Sequence, residues 1–294
     1  MSKEPSVGFI GLGAMGAPMA AHVARMGLLR AVANRSRQRT EQFAAEHRVD
    51  ALKDATELAR DCSVIVSCVT ADADVLAIAR AITQAHRAGV LLIDTSTIAS
   101  ASAQQAQILL EDAGCRFVDA PISGGVEGAR AATLSVMVGG ANDDVARAKP
   151  VLECFAARVA HLGPVGAGQN AKAVNQVIVA GIAEAVCEGL ALAKALGLDL
   201  DKLLPTLRAG AANSWFLERR GATMSRGSFA VGFKQALLLK DLKIVEALAQ
   251  GVGIKLSVIE QTIADYGELV ALGFGDDDIS GLIRLKERKE PVSS

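Results

Sequence analysis

The stretch Ser6-Val-Gly-Phe-Ile-Gly-Leu-Gly-Ala-Met-Gly-Ala-Pro-Met19 takes a short apolar run straight into a glycine-rich turn and then into a helical pattern. Strand, turn and helix in that order give the spacing Gly11-x-Gly13-x-x-Gly16 a physical meaning that the motif lacks when it stands alone. Gly11 permits the tight turn, Gly13 lets backbone approach a pyrophosphate, and Gly16 lets the helix lie close to the strand. The helix N-terminus then faces the phosphates. Gly11, Leu12, Gly13, Ala14, Met15 and Gly16 are accordingly predicted to bind a dinucleotide.

Working outward, the next apolar run, Leu29 to Ala33, ends in Asn34-Arg35-Ser36-Arg37. This lies about 20 residues past the turn, where an NAD site usually places a carboxylate for the ribose 2′-hydroxyl. No carboxylate stands there. Asn34 suits the ribose, while Arg35 and Arg37, with Ser36 beside them, offer donors for a 2′-phosphate. The expected cofactor is NADP(H) rather than NAD(H).

From Val7 to about His161, apolar runs alternate with Ala-rich helical stretches: Val7 to Ile10, Ala31 to Ala33, Ser63 to Val69, Val90 to Asp94, Arg116 to Asp119 and Thr133 to Val138. Such alternation predicts an α/β fold, a Rossmann-type doubly wound and mostly parallel sheet covered by helices on both faces. Ligand is expected at the carboxyl ends of its strands. Past Leu162-Gly-Pro-Val-Gly-Ala-Gly168 the strand signals vanish. Helical patterns follow at Asn170 to Leu196, Asp201 to Ala209, Phe216 to Met224, Gln235 to Gly251 and Ser257 to Ala271. The expected domains are residues 1–163, binding cofactor, and 164–294, an all-helical substrate and oligomerisation domain opened by a long interdomain helix.

Composition narrows the function. A formal net charge of −1 and 3% aromatic residues provide neither a basic field nor stacking platforms, so nucleic acid is not an expected partner. Met1-Ser-Lys-Glu-Pro carries no apolar leader, and Lys172 and Glu184 interrupt the most apolar helix, so a cytoplasmic protein without a membrane span is expected. Cys62, Cys68, Cys115, Cys154 and Cys187 form no CxxC pair and read as reduced thiols. His22, His47, His86 and His161 are scattered, so no metal site is expected.

Three segments are candidates for chemistry. Asp119-Ala-Pro-Ile-Ser-Gly-Gly-Val-Glu-Gly128 follows a strand; the Ser123 hydroxyl and the Gly124 and Gly125 backbone N–H groups suit a substrate carboxylate. Asp94-Thr-Ser-Thr-Ile98 also follows a strand, and its hydroxyls either cap the next helix or touch the cofactor. Gly166 to Gln176 opens the long helix and sets Lys172, Asn175 and Gln176 on one face. A lysine in apolar surroundings has its charged form disfavoured, which brings the amine toward proton-transfer duty.

Together with Phe233 through Lys240-Asp241, these segments resemble the β-hydroxyacid dehydrogenase family, in order and over essentially the whole chain. The resemblance implies a Rossmann domain, a helical second domain, and a homodimer or homotetramer built through the latter. It implies hydride transfer between NADP(H) and a small carboxylate-bearing aldehyde or β-hydroxy acid, with reduction as the cellular direction. It makes Lys172 the catalytic acid or base, Ser123, Gly124 and Gly125 the substrate-anchoring loop, and sets Thr97 beside cofactor and substrate. Asn175 and Gln176 flank the reacting carbon, and Phe233, Lys240 and Asp241 close the site, Lys240 on the cofactor. Segment 233–241 is expected to reach a neighbouring chain's site. Two positions depart from the pattern: Gln176 stands where many relatives have asparagine, and Ala132 where they often have glycine. An imine reductase resembles the same first domain but generally lacks the lysine at position 172. A non-catalytic NADP-binding protein is the other alternative.

Overall fold

The computed structural model describes residues 5–288. Among them, β1 (Val7–Ile10), β2 (Leu29–Ala33), β3 (Asp50–Ala51), β4 (Val64–Ser67), β5 (Leu91–Asp94), β6 (Arg116–Asp119), β7 (Ile122–Ser123), β8 (Leu134–Gly139) and β9 (Ala156–Gly163) form one sheet. The order is β3-β2-β1-β4-β5-β6-β8-β7, with β9 paired to β8. Helices α1 (Gly16–Arg25), α2 (Arg37–His47), α3 (Ala55–Asp61), α4 (Asp72–Thr83), α5 (Ser100–Glu111), α6 (Gly125–Ala131) and α7 (Asn142–Leu152) connect the strands.

Continuous apolar strands are what this arrangement requires, because each strand buries both faces. On β4, Val64 and Val66 enter one core with Phe9, Leu91 and Ile93, while Ile65 enters the opposite core with Leu92 and Phe117. Burying each such side chain stabilises the fold by roughly 1.5 to 3 kcal/mol. Strands β1 to β6 pair in parallel. The exception is β8, antiparallel to both β6 and β7. Asp119 pairs with Gly139, Ile122 with Val136 and Ser123 with Ser135, and the Pro121 carbonyl accepts from the Met137 N–H. The register therefore never slips across Ala120-Pro121, and β6 and β7 act as one interrupted partner of β8.

The sequence predicts six of these strands and omits β3, β7 and β9. Two have only two residues each, and β9 is a half-exposed edge whose only large apolar side chains, Val159 and Leu162, do not alternate as a strand's would. Its strand form comes from pairing with β8.

The contacts divide the chain into two compact units, one running through Lys172 and the other beginning at Ala173. The expected division at 163/164 falls where β9 ends, whereas the units part within α8 (Ala167–Ala195). The second unit adds α9 (Leu200–Arg208), α10 (Trp215–Ser225), α11 (Gln235–Gly251), α12 (Ser257–Ala271), a 3-10 turn (Ile279–Leu282) and α13 (Ile283–Lys286). Ala180, Ala183, Cys187 and Leu190, spaced at helical intervals along α8, pack with Leu217, Leu238, Leu242 and Leu269. By length and composition alone α8 is able to cross a membrane, but those four residues give it the ordinary duty of a core helix.

Candidate active site

In the first unit, the glycine turn has the form a phosphate needs. A side chain at Gly16 would place its Cβ 1.8 Å from the Gly11 carbonyl oxygen, so helix and turn touch there. At Gly13 the corresponding space is open to 4 Å, a cradle on the approach to the first turn of α1, which no side chain caps. Asn34 accepts the Leu12 N–H through Oδ1 at 3.1 Å, so its side chain braces the turn. Arg35 is exposed at the end of β2. The Ser36 hydroxyl caps α2 by accepting the Arg39 N–H, and Arg37 bonds Glu41 at 2.7 Å one helical turn on. Ser36 and Arg37 thus have local duties that a reading of donor types alone does not include.

Ser123 ends β7, and Gly124 and Gly125 turn with φ of 133° and 66° into α6. Ala132 ends α6 in the left-handed region, φ 55° and ψ 38°, and so keeps the conformation that glycine favours. An alanine holds it at a cost of roughly 1 to 2 kcal/mol.

Behind Thr97 lies a buried polar network that the site prediction omits. Asp94 and Asp119 sit side by side in register at the ends of β5 and β6. Asp94 Oδ1 accepts from the hydroxyls of Ser67 and Ser96, both at 2.7 Å, and Ser96 Oγ accepts the Val69 N–H at 2.9 Å. Burial pushes the Asp94 carboxyl up to about 6 against those hydrogen bonds, with Asp119 adding to the rise. Burial likewise raises Asp119, opposed by the Gly166 and Gln169 N–H groups, which it accepts at 2.8 and 2.9 Å. Gln169 joins this network to the Thr97 loop: Nε2 donates to the Ser96 carbonyl at 2.9 Å and Oε1 accepts the Ile98 N–H at 3.1 Å. Lys172 follows on α8 with 7% of its surface exposed. The residue types in Asp94-Thr-Ser and Gly168-Gln-Asn signal polar character, but which of them become buried depends on strand register.

In the second unit, Asn175 Nδ2 donates to Gln176 Oε1 at 2.8 Å, and Gln176 Nε2 donates to Asp241 Oδ2 at 2.7 Å. Lys240 pairs with the other Asp241 oxygen at 3.0 Å. Asp241 is therefore held against its own chain's α8, with a partner at each of its two carboxylate oxygens. Phe233 is fixed through its backbone, since Asp278 Oδ2 accepts the N–H groups of Gly232 and Phe233 at 2.8 and 3.1 Å. The fully buried Asp278 also accepts from Arg220 Nε at 3.0 Å and from the Ser280 hydroxyl at 2.7 Å. Sequence reading misses Asp278, the last of three consecutive aspartates whose pattern carries no sign that one of them is buried.

Comparison with known proteins identifies the family. Residues 6–163 match the model for the NAD binding domain of 6-phosphogluconate dehydrogenase, and residues 166–286 match that for the NAD-binding domain of NADP-dependent 3-hydroxyisobutyrate dehydrogenase. A probable 3-hydroxyisobutyrate dehydrogenase of Mycobacterium tuberculosis is 32% identical over 95% of this chain and 96% of its own length. An NAD-dependent L-serine dehydrogenase of Pseudomonas aeruginosa is 31% identical over 95% of this chain and 97% of its own. The solved structure of M. tuberculosis 3-hydroxyisobutyrate dehydrogenase with L-serine has a TM-score of 0.87 and 31% identity, covering 97% of this chain and 100% of that one. With a Rossmann sheet, a helical second unit and both domain models matched in order, the chain belongs to the β-hydroxyacid dehydrogenase family, as an NAD(P)-dependent oxidoreductase of the 3-hydroxyisobutyrate dehydrogenase type.

Proposed function

We propose that the protein reduces a small semialdehyde or glyoxylate-type acid with NADPH, or oxidises a β-hydroxy acid or the hydroxy acid that matches such an aldehyde with NADP⁺, using Lys172 as general acid and base. The observation that carries this reading is the burial of Lys172, three residues before Asn175 on α8. In reduction the ammonium donates its proton to the developing alkoxide; in oxidation the neutral amine removes the hydroxyl proton. When bound, the nicotinamide supplies or accepts the hydride. The Ser123 hydroxyl and the Gly124 and Gly125 N–H groups receive the substrate carboxylate. Asn175 or Gln176 holds the substrate hydroxyl; the two amides bond one another, and Gln176 also bonds Asp241. The L-serine in the M. tuberculosis structure is itself a β-hydroxy acid with a carboxylate, which supports this substrate class.

The NADPH preference rests on Arg35 and on the missing carboxylate after β2. Arg37 contributes less, given its bond to Glu41. Since a charge-assisted contact is worth roughly 1.5 to 3 kcal/mol, Arg35→Asp should weaken NADPH by about 10- to 10²-fold and spare NADH. The check is kcat/KM for both cofactors across glyoxylate, succinic semialdehyde, tartronate semialdehyde, methylmalonate semialdehyde and sulfolactaldehyde, with L-serine in the oxidative direction. Equal or better values with NADH sink the cofactor reading, and no turnover with any of them sinks the enzymatic one.

The same reading includes a homodimer or homotetramer. Val174, Ile178 and Leu192 on α8, and Leu196 just past its end, are 58% to 67% exposed, apolar side chains that a second copy would cover. Light scattering should give at least a dimer; a fully active monomer at assay concentration overturns this part.

A further inference from the structure

We propose that Gln169 is a positioning residue that locks the Thr97 peptide to the turn of α8 carrying Lys172. Its two amide ends bond the carbonyl of Ser96 and the N–H of Ile98, the peptide groups on either side of Thr97. A backbone held on both sides of one residue by a single planar group cannot slide or twist without breaking a buried bond. Ser96 and Ile98 are buried while Thr97 is half-exposed, so the clamp turns the Thr97 side chain outward at the carboxyl edge of the sheet, where ligands of this fold belong. Gln169 is itself 2% exposed, and its backbone is anchored by Asp119, as is that of Gly166. Lys172 follows one turn later on the same helix. The clamp thus sets the distance between a loop hydroxyl and the proposed proton donor, two groups whose separation decides whether substrate sits in a reactive geometry.

This inference rests on the reading of Lys172 given above, and the test separates the two. Gln169→Leu removes both bonds while nearly conserving volume; Gln169→Met replaces it should the leucine variant fail to fold. Because a displacement of about 1 Å costs roughly 10²-fold in rate, kcat should fall by about 10- to 10²-fold. NADPH binding, followed by fluorescence titration, should keep its stoichiometry and its Kd within about threefold, as expected when geometry rather than affinity is lost. With 4-deuterated NADPH, the isotope effect on kcat should rise as the hydride step becomes limiting. A kcat within about threefold of the unmodified enzyme overturns the proposal. So does a kcat loss matched by an equal loss of binding stoichiometry with an unchanged isotope effect, since that reports fewer folded sites. Near-normal turnover of Lys172→Ala sinks the reading of Lys172 and, with it, the reason for coupling Thr97 to that turn. A defective Lys172→Ala beside a normal Gln169→Leu sinks the clamp alone.

Discussion

Replacing Lys172 by alanine should lower kcat by roughly 10²- to 10⁴-fold, the usual share of a positioned general acid or base, and leave cofactor affinity within a few-fold. The side chain is almost wholly buried on a helix whose first turn is fastened to Asp119, so alanine leaves the backbone in place and removes the amine. Lys172→Arg sharpens the test. Arginine preserves a cation but cannot give up its proton near neutrality, so it should be as defective as alanine in oxidation. Steady-state rates in both directions, with NADPH binding measured separately, decide the matter. Near-normal turnover of Lys172→Ala would transfer proton transfer to another group.

A substrate without a carboxylate should be poor by about 10²- to 10⁴-fold in kcat/KM. Any two of the three charge-assisted hydrogen bonds offered by the 123–125 loop, each worth roughly 1.5 to 3 kcal/mol, sum to that range at about 1.4 kcal/mol per tenfold. The comparison is butanal against succinic semialdehyde, which share chain length and differ at the far end. Bonds that form only as the reacting carbon is drawn into place raise kcat as well as lowering KM, so both constants should suffer. Comparable kcat/KM values for the two aldehydes would remove the anion-holding role from Ser123, Gly124 and Gly125.

Local patterns were legible in the sequence; distant polar partnerships were not. The strand and helix around Gly11 to Gly16 could be read because an apolar run, a glycine turn and a helical period coincide within a few residues. Helix α11 emerged with its observed bounds, and α8 within a few residues, since Ala, Val, Ile and Leu at helical spacing need no distant partner to be recognised. Asp278 is different. Its value lies in accepting from Arg220, 58 residues earlier, and from the backbone at Gly232, 46 residues earlier. Gln169 looks like an ordinary polar residue in the first turn of a helix, until the strands bring Ser96 and Ile98 to it. Arg37 is the opposite case: its partner Glu41 stands at the i+4 position in plain view, and the pair competes with any phosphate for the guanidinium.

The unslipped pairing of β6 and β7 with β8 makes chain length, and not only composition, a constraint on the loop that follows. Side chains alternate faces with a period of two, so one residue inserted between Asp119 and Ser123 would reverse the facing of everything after it. Ile122, now buried, would turn outward, and the Ser123 hydroxyl would turn into the core. Removing a residue would do the same from the other side. Helix α6, entered directly from this loop, would start from the wrong face of the sheet. A gap or an insertion in this segment should therefore cost more than exchange of one residue for another, since a strand two residues long has no further pairs over which a bulge could restore the register.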